Sequence, residues 1–218
     1  MKIRWLGQSA FLITSEEGTK IITDPYKTGM FIGLRYGRIE EAADIVTVSH
    51  RDPDHNNVAA VRGNPQVVKG VGTFKAKGIE FRGIASYHGL SVFGLKRPNT
   101  IFCFTVDGVR LCHLGDLGHR LSDEQIADIG EVDVLMIPVG GRFTIDGAGA
   151  SKVCDRLKPR VTIPMHYKTD RCLIPLAKLD PFLERKTDVK RMATSEVELK
   201  REGLPPYRDC GSGARPII

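Results

Sequence analysis

The first half of the chain alternates short apolar segments with turn residues, which is typical of a β-rich structure. Three such segments open the sequence, at 3–6, 10–14 and 20–23, and Gly7 and Glu17-Gly18 separate them. This spacing predicts an antiparallel meander. The next segment, 43–49, is β-branched and apolar on both faces, so it predicts a strand in the middle of a sheet.

The following segments predict a second set of strands. A short helix is expected over 54–62 and a strand over 66–69, and the alternating stretch 73–88 predicts strands around turns at Gly78 and Gly83. Segments 101–106 and 109–113 flank Asp107-Gly108, a dipeptide that supplies the positive φ angles of a type I′ turn. They predict the clearest hairpin of the sequence.

The second half changes to an alternation of strands and helices. Helices are predicted over 122–129, with Ser122 as N-cap, over 146–157 and around 176–183, and strands over 132–139 and 160–165. No repeat or linker divides the chain, so we expect one domain of residues 1–218 with an irregular tail from about residue 203. A β-rich half followed by βα units predicts an α/β fold in which two sheets pack face to face with helices outside.

The composition is that of a folded protein in a reducing compartment. Hydrophobic residues make up 41% and charged residues 27% of the chain, which argues against intrinsic disorder. No apolar run is long enough to cross a bilayer, and residues 1–5 lack the features of a signal peptide, so we expect a cytoplasmic protein without a membrane partner. The five cysteines include no C-x-x-C pair and are predicted to be free thiols rather than metal ligands.

The net charge of +6 and the pI near 9.1 favour an anionic partner, such as a phosphorylated small molecule or a nucleic acid. Lysine and arginine are spread along the chain, and the densest run, 185–201, is also consistent with a solvated face. A nucleic acid is the less favoured partner, because the chain has no tract of interleaved aromatic and basic residues. The sequence is also compatible with a homo-oligomer.

The strongest chemical signal is the segment His50-Arg51-Asp52-Pro53-Asp54-His55, directly after the predicted central strand. It places four metal-binding side chains within six residues, at a strand end where side chains converge. Asp54 alone is equally well explained as a helix N-cap. The four side chains together predict a site for two divalent ions.

Further candidate ligands follow other predicted strands. His88, His113 and His166 each stand at a predicted strand end, and Asp116 follows the hairpin, where a carboxylate can bridge two ions. Each of these residues taken alone is more often structural, and Asp116 alone suits an ordinary turn. Only the joint pattern indicates a metal site. Four cationic side chains that flank these loops are candidate contacts for a substrate anion: Arg35, Arg51, Arg97 and Lys168.

Four segments make the sequence similar to a known family: Ser49-His50-x-x-x-Asp54-His55-Asn56, Cys112-His113-Leu114-Gly115-Asp116-Leu117-Gly118-His119, Ile137-Pro138-Val139-Gly140-Gly141 and Ile163-Pro164-Met165-His166-Tyr167. They resemble the UlaG-like branch of the metallo-β-lactamase superfamily, which includes ascorbate-6-phosphate lactonase and predicted zinc-dependent hydrolases. The likeness extends to the opening segment 5–11 and to Thr23-Asp24-Pro25, so it runs to about residue 185. These motifs are specific for the superfamily but not for a substrate.

The resemblance implies a four-layer αββα sandwich of two mixed sheets, with helices outside and a dinuclear metal site. One ion would be held by His50, Asp52 and His88, the other by Asp54, His55 and His166, with Asp116 between them. A metal-bound hydroxide would be the nucleophile, and Asp54 would orient it or take its proton. His119 would donate a proton to the leaving group, although it is equally well explained as a neighbour of the helix after Ser122. His113 would be structural or would support a ligand.

Two positions depart from the family pattern. Asp52 stands where the motif His-x-His-x-Asp-His has its second histidine, and Gln8 stands where related proteins often have histidine. An aspartate is a harder, anionic ligand, so we expect a shift in preference from Zn²⁺ toward Mn²⁺, Fe²⁺ or Mg²⁺. The first metal position would then be altered, or lost.

The sequence therefore predicts a metal-dependent hydrolase that acts on an ester-type bond, a lactone or a phosphodiester, of an anionic small molecule. Two alternatives stay open. One is a nuclease or phosphodiesterase acting on RNA or DNA, which the basic pI allows. The other is an inactive metal-binding or scaffold protein in which Asp52 marks a degraded first metal site.

Overall fold

The computed structural model describes residues 1–29, 33–89, 96–184 and 186–207, and the backbone of 215–216. The first of its two sheets contains β1 (Lys2–Gly7), β2 (Ala10–Thr14), β3 (Lys20–Thr23), β4 (Ile45–Val48), β5 (Gln66–Lys69) and β12 (Glu196–Glu198). They lie in the order β12-β1-β2-β3-β4-β5. The pairs from β12 to β3 are antiparallel, which confirms the predicted meander, and β3/β4 and β4/β5 are parallel.

The second sheet contains β6 (Gly72–Ala76), β7 (Ile79–His88), β8 (Arg97–Val106), β9 (Val109–His113), β10 (Val134–Pro138), β11 (Val161–Met165) and β13 (Arg215–Pro216). Their order is β13-β11-β10-β9-β8-β7-β6. The pairs from β6 to β9 are antiparallel, and those from β9 to β13 are parallel. Both sheets are therefore mixed, as predicted. The short strand β13 lies within the segment after residue 203.

Apolar side chains fill the space between the sheets. Phe11 and Ile13 of the first sheet belong to one buried cluster with Phe102, Phe104 and Met136 of the second. Removing these side chains from water is the main source of stability for such a sandwich. On its outer face the second sheet is covered by α1 (Asp123–Ile129), α2 (Gly147–Leu157) and α3 (Asp180–Leu183). The predicted α/β sandwich is confirmed.

The outer face of the first sheet is covered mainly by loops, with Tyr26, Tyr36 and Leu176 among the side chains packed there. A single 3₁₀ turn, Val58–Ala60, replaces the helix predicted over 54–62. That prediction was wrong because Asp54 caps no helix. Its carboxylate accepts a hydrogen bond from elsewhere in the chain, as described below.

Several local signals had the expected effect. Asp107 and Gly108 have φ angles of 49° and 72°, and Val106 pairs with Val109 across the turn. The Ser122 side chain accepts a hydrogen bond from the backbone of Gln125, and Asp146 caps α2 in the same way. The third predicted helix is shorter than expected and begins only at Asp180.

Gly83 does not form the predicted turn. It lies inside β7, and a Cβ atom at this position would be 2.2 Å from the carbonyl oxygen of Gly70. Glycine is therefore needed for close packing of two backbones rather than for chain reversal.

Asp133 anchors the chain near Tyr207 to the second sheet. Its carboxylate accepts hydrogen bonds from Arg110 Nε (3.0 Å) and Tyr207 Oη (2.6 Å), and Arg160 Nη1 lies 3.4 Å away. Burial alone raises the pKa of Asp133, but the hydrogen bonds from Arg110 and Tyr207 outweigh it and lower the pKa to about 2.

No helix in the described part of the chain has the length and apolar character to cross a bilayer. The described cysteines are free thiols, as predicted: Cys103, Cys112, Cys154 and Cys172. Cys210 and Arg185, the first residue of the basic run, lie outside the described residues.

Candidate metal centre

The candidate metal centre lies where the carboxyl ends of several strands meet. Asp24 follows β3, His50 comes shortly after β4, Asp116 shortly after β9 and His166 directly after β11, while His88 ends β7. The carboxyl ends of parallel strands open at the same edge of a sheet, which is why residues far apart in the sequence converge here.

Asp116 lies at the centre of this cluster. Its Oδ2 atom is 3.3 Å from Nε2 of His55, 3.4 Å from Nε2 of His166 and 3.8 Å from Nε2 of His50. All four side chains are buried, and the backbone N–H of Asp116 donates to Oδ1 of Asn99 at 2.9 Å. Three imidazole nitrogens therefore surround one carboxylate oxygen at distances longer than an ordinary hydrogen bond.

Asp24 holds two of these imidazoles in place. Its Oδ2 accepts hydrogen bonds from His55 Nδ1 (2.9 Å) and Ser49 Oγ (2.5 Å), and its Oδ1 accepts one from the Ser49 backbone N–H (2.7 Å). Ser49 Oγ in turn accepts a hydrogen bond from His50 Nδ1 at 2.9 Å. These partners place a proton on Nδ1 in both histidines, so that Nε2 is the nitrogen that faces Asp116. Burial lowers the pKa of His55, but Asp116 and Asp54 raise it well above its ordinary value, so its Nε2 becomes a ligand when a bound cation displaces the second proton.

The sequence did not single out Asp24, which stood only within a segment of family likeness. A usable signal was present, because Asp24 is a polar residue directly after a buried strand, and His50 closely follows another. It is fully buried. Burial alone raises its pKa, but the hydrogen bond from His55 and the nearby His113 lower it below the ordinary value.

Several buried polar atoms of the cluster have no hydrogen-bond partner among the described residues: Nε2 of His50 and His55, Nδ1 of His88 and His166, and Oδ1 of Asp116. Leaving such atoms unsatisfied costs about 1 to 3 kcal/mol each. Imidazole nitrogens and carboxylate oxygens are the donor atoms that zinc, manganese and iron prefer. The unpartnered Nε2 atoms of His50 and His55 and the Oδ1 atom of Asp116 therefore fit divalent metal ions, and in His88 and His166 it is Nε2 that faces the carboxylates.

The potential donor atoms fall into overlapping groups in which all atoms lie within 4.8 Å of one another. One group is His50, His88 and Asp116, a second is Asp54, His55 and His166, and a third is His50, Asp52 and Asp54. The structure thus brings together every residue predicted as a metal ligand. A fourth group joins Asp24 to His50 and His55, but Asp24 Oδ2 already accepts two hydrogen bonds.

Charges within the cluster shift its acid–base groups strongly. Burial raises the pKa of Asp116, but His166 and His55 bring it well below its usual range. Burial also raises the pKa of Asp54, which the charge of His55 lowers to about 2. Burial lowers the pKa of His50 to about 4, and the neighbouring His55 acts in the same direction. The carboxylates are therefore ionised at neutral pH and ready to bind a cation.

Asp52 is paired with an arginine. Arg97 Nη1 donates to Asp52 Oδ2 at 2.8 Å, and Nη2 donates to Oδ1, so both carboxylate oxygens are engaged. Oδ2 also lies 3.7 Å from His50 Nε2 and 4.0 Å from His88 Nε2. Asp52 is thus next to the cluster, but it shares its negative charge with Arg97.

Gln8, the second position that departs from the family pattern, supports Asp54. Its side chain is fully buried, and Nε2 donates to Asp54 Oδ2 at 3.1 Å. A neutral amide thus orients this carboxylate.

Two histidines lie outside the cluster. His113 donates from Nε2 to the Ser9 carbonyl (2.9 Å) and accepts at Nδ1 from the Gly115 N–H (3.2 Å), so both ring nitrogens are engaged within the protein. His119 stacks on Tyr87 with ring centroids 3.9 Å apart. The rings of His119 and Tyr87 both line a groove between β7 and α1. None of the cluster residues borders this groove. His119 belongs to none of the groups of potential ligand atoms among the described residues, and its role as a proton donor stays a prediction.

The remaining predicted side chains differ in their surroundings. Lys168 donates to the carbonyls of Cys172 and Ile174, so it is engaged within the protein, whereas Arg35 and Arg51 are exposed. A Cβ atom on Gly140 would lie 2.1 Å from the carbonyl oxygen of His166. Glycine at position 140 therefore allows two backbones to approach closely.

Comparison with known proteins identifies the family. A family model described as a beta-lactamase superfamily domain matches residues 2–166. The chain belongs to this superfamily. Two relatives in it are named UPF0173 metal-dependent hydrolase. The relative from Archaeoglobus fulgidus is 30% identical, with 93% of this chain and 97% of the relative covered. The one from Carboxydothermus hydrogenoformans is 34% identical, with 78% and 85% covered.

A solved structure supports the same assignment to the superfamily. A protein from Thermotoga maritima, described as a Zn-dependent hydrolase of the metallo-β-lactamase superfamily, matches with a TM-score of 0.76 at 33% identity, covering 99% of this chain and 97% of the other. The predicted superfamily is confirmed, and so is the predicted class of metal-dependent hydrolase. The narrower UlaG-like branch stays a prediction.

Proposed function

We propose that this protein hydrolyses an ester-type bond, a lactone or a phosphodiester, in an anionic small molecule with the help of divalent metal ions. The observation that carries the proposal is the arrangement around Asp116, where the unpartnered Nε2 atoms of His50 and His55 face one carboxylate in a buried site. A purely structural cluster would satisfy these atoms internally.

The cluster offers donor atoms for two ions that meet at Asp116. Asp54, His55 and His166 would hold one, and His50, His88 and Asp52 would face the other. Ions bound there would activate water and polarise the scissile bond. The mixture of imidazoles and carboxylates suits Zn²⁺ or Mn²⁺ best, followed by Fe²⁺ and Mg²⁺.

The protein's own groups have separate tasks in this proposal. Asp24 and Ser49 keep the protons of His55 and His50 on Nδ1, which leaves Nε2 free as a ligand. Gln8 holds Asp54, whose ionised carboxylate would orient the nucleophilic water. His119 has no task here, because its ring stacks in the groove between β7 and α1.

The proposed substrate class follows from charge and from the family resemblance. The chain carries a net charge of +6, Arg35 and Arg51 are exposed, and Arg51 lies between the predicted ligands His50 and Asp52 in the sequence. Such cations raise the local concentration of an anionic substrate. A phosphodiester carries its own negative charge, and a lactone joins this class when another substituent, such as a phosphate, makes the molecule anionic.

Elemental analysis followed by a substrate panel tests the proposal. We expect at least one tightly bound divalent ion per chain and hydrolysis of an anionic lactone or phosphodiester in the presence of Mn²⁺ or Zn²⁺. The variant Asp116→Ala should lose most of its metal and at least about a hundredfold in kcat/KM, because a central ligand is removed. Asp155→Ala, which removes an exposed carboxylate from α2, is the matched control and should behave like the natural protein.

Other outcomes would replace the proposal. Activity and full metal content in Asp116→Ala would refute the assigned site. Cleavage of an RNA oligonucleotide without cleavage of small esters would indicate a nuclease. Tight metal binding without hydrolysis of any lactone, phosphodiester or thioester would indicate a metal-binding protein that has lost activity.

A further inference from the structure

We infer that the two halves of the cluster bind metal unequally, and that Arg97 is the residue that sets the difference. The half built from Asp54, His55 and His166 holds a resident ion. The half built from His50 and His88 binds its ion at least a hundredfold more weakly, because Arg97 neutralises Asp52. The inference rests on the proposed metal site and specifies how many ions it retains.

The contact between Arg97 and Asp52 is a bidentate ion pair. Two guanidinium N–H groups meet the two carboxylate oxygens, the most favourable geometry for this combination. The Oδ2 atom held by Nη1 at 2.8 Å is the same atom that faces His50 and His88. An ion bound between Asp52 and these histidines would therefore lie close to a permanent positive charge, which repels it.

The two halves differ in the anionic charge available to a cation. Asp54 accepts its hydrogen bond from the neutral amide of Gln8 and keeps its full negative charge. Asp52, at the corresponding place in the other half, is balanced by Arg97. Asp116 faces histidines of both halves, so the carboxylates that differ are Asp52, which pairs with Arg97, and Asp54, whose hydrogen bond comes from a neutral amide.

The partners of the histidines act in the same direction as the Arg97–Asp52 pair. In each half one histidine has its far nitrogen held, but His55 is held by the carboxylate of Asp24 and His50 only by the hydroxyl of Ser49. A carboxylate partner makes the histidine a stronger metal ligand. The other histidine of each half, His88 or His166, has an unpartnered far nitrogen, so these two do not distinguish the halves.

The fold places Arg97 at this position. Arg97 is the first residue of β8, and its Cα partner on β7 is His88. The guanidinium is therefore attached to the strand beside a predicted ligand. The Asp52 side chain is 20% exposed and that of Arg97 57%, so the pair lies at the mouth of the cluster, with Asp52 on the inner side.

Metal titration of the whole chain and of charge variants tests the inference. Metal-free protein is titrated with Mn²⁺, and each step is followed by calorimetry and by electron paramagnetic resonance, which detects coupling between two neighbouring ions. The natural protein should bind one equivalent tightly and a second at least a hundredfold more weakly. Arg97→Met should tighten the second step at least tenfold and bring the coupled signal to lower Mn²⁺ concentration, without changing the first step.

Two further variants separate charge from other effects. Arg82→Met removes an arginine of similar exposure that lies on β7 of the same sheet and pairs with Asp128 of α1, and both binding steps should stay unchanged. Asp52→Asn releases Arg97 but also removes the carboxylate, so the second step should not improve. If the second step tightens in Asp52→Asn as much as in Arg97→Met, Asp52 does not take part in metal binding and the inference is wrong.

The result for the natural protein distinguishes this inference from the proposed function. Two equivalents bound with affinities within tenfold of each other would overturn the unequal halves but leave the hydrolase proposal standing. No change of the second step in Arg97→Met would overturn the role of Arg97. Absence of any tight step in the natural protein would overturn the proposed metal site itself.

Discussion

Replacing Asp24 by asparagine tests whether the hydrogen bonds behind the ligands control metal binding. The carboxylate accepts hydrogen bonds from His55 Nδ1, from Ser49 Oγ and from the Ser49 backbone N–H. Asparagine fills the same volume but has only one acceptor oxygen. It cannot satisfy all three donors, because its NH₂ group must face at least one of them.

Either orientation of the new amide has a cost. With its oxygen toward His55, the NH₂ group opposes the Ser49 backbone N–H, and a buried donor is left without a partner. With its NH₂ group toward His55, the proton of that imidazole moves to Nε2, where the lone pair for the metal is required. Loss of such a supporting group typically weakens metal binding 10- to 100-fold, which corresponds to about 1.4 to 2.7 kcal/mol.

Competition with a chromogenic chelator gives the metal Kd, and thermal unfolding of the metal-free protein gives stability. We expect Asp24→Asn to raise Kd for the tightly bound ion by about 10- to 100-fold. The control Asp155→Asn makes the same chemical change on the exposed face of α2 and should leave Kd unchanged. An unchanged Kd in Asp24→Asn, together with a lower free energy of unfolding, would show that Asp24 is only structural and would refute the reasoning.

Two further predictions concern the Asp133 hydrogen bonds on the second sheet and the backbone packing at Gly140. Asp133→Asn should lower the free energy of unfolding by about 2 kcal/mol at neutral pH. The pKa of Asp133 is about 2 in the fold, so this contribution is present above an unfolded pKa of about 4 and is lost as pH falls toward 2. Urea unfolding at several pH values measures it, and an equal loss at pH 7 and pH 2 would contradict it. Gly140→Ala should weaken metal binding at least about tenfold by displacing the backbone of His166, whereas Gly203→Ala, where a Cβ meets nothing within 4 Å, should not. Equal Kd values for the two glycine variants would refute this.

Much of the fold and most of the site followed from local sequence signals. The central strand, the Asp107-Gly108 turn and the Ser122 cap are each encoded by neighbouring residues, and each is found in the structure. The predicted ligands converge because histidines and aspartates stand at strand ends, and the topology brings those ends to one edge.

The features that sequence analysis missed depend on contacts between distant residues. The carboxylate of Asp24 binds His55, 31 positions away, and Arg97 reaches Asp52 across 45 positions. Neither pairing has a local signature. For Asp54 a local signal was present but misleading. Its position in the sequence predicted a helix N-cap, whereas in the structure its carboxylate accepts a hydrogen bond from the distant Gln8.

The net charge of the cluster depends on how many metal ions are bound, and it affects how well an anionic substrate binds. Four carboxylates, those of Asp24, Asp52, Asp54 and Asp116, are accompanied by the single guanidinium of Arg97 among the described cluster contacts. With neutral histidine ligands, one divalent ion leaves this set negative by one charge, and a second ion makes it positive by one. The cluster with one bound ion therefore repels an anionic substrate, whereas the cluster with two bound ions attracts it. An anionic substrate and the weakly held ion should therefore favour each other's binding, and this coupling must be equal in both directions. Arg97 would then link occupancy of the second position to the presence of substrate.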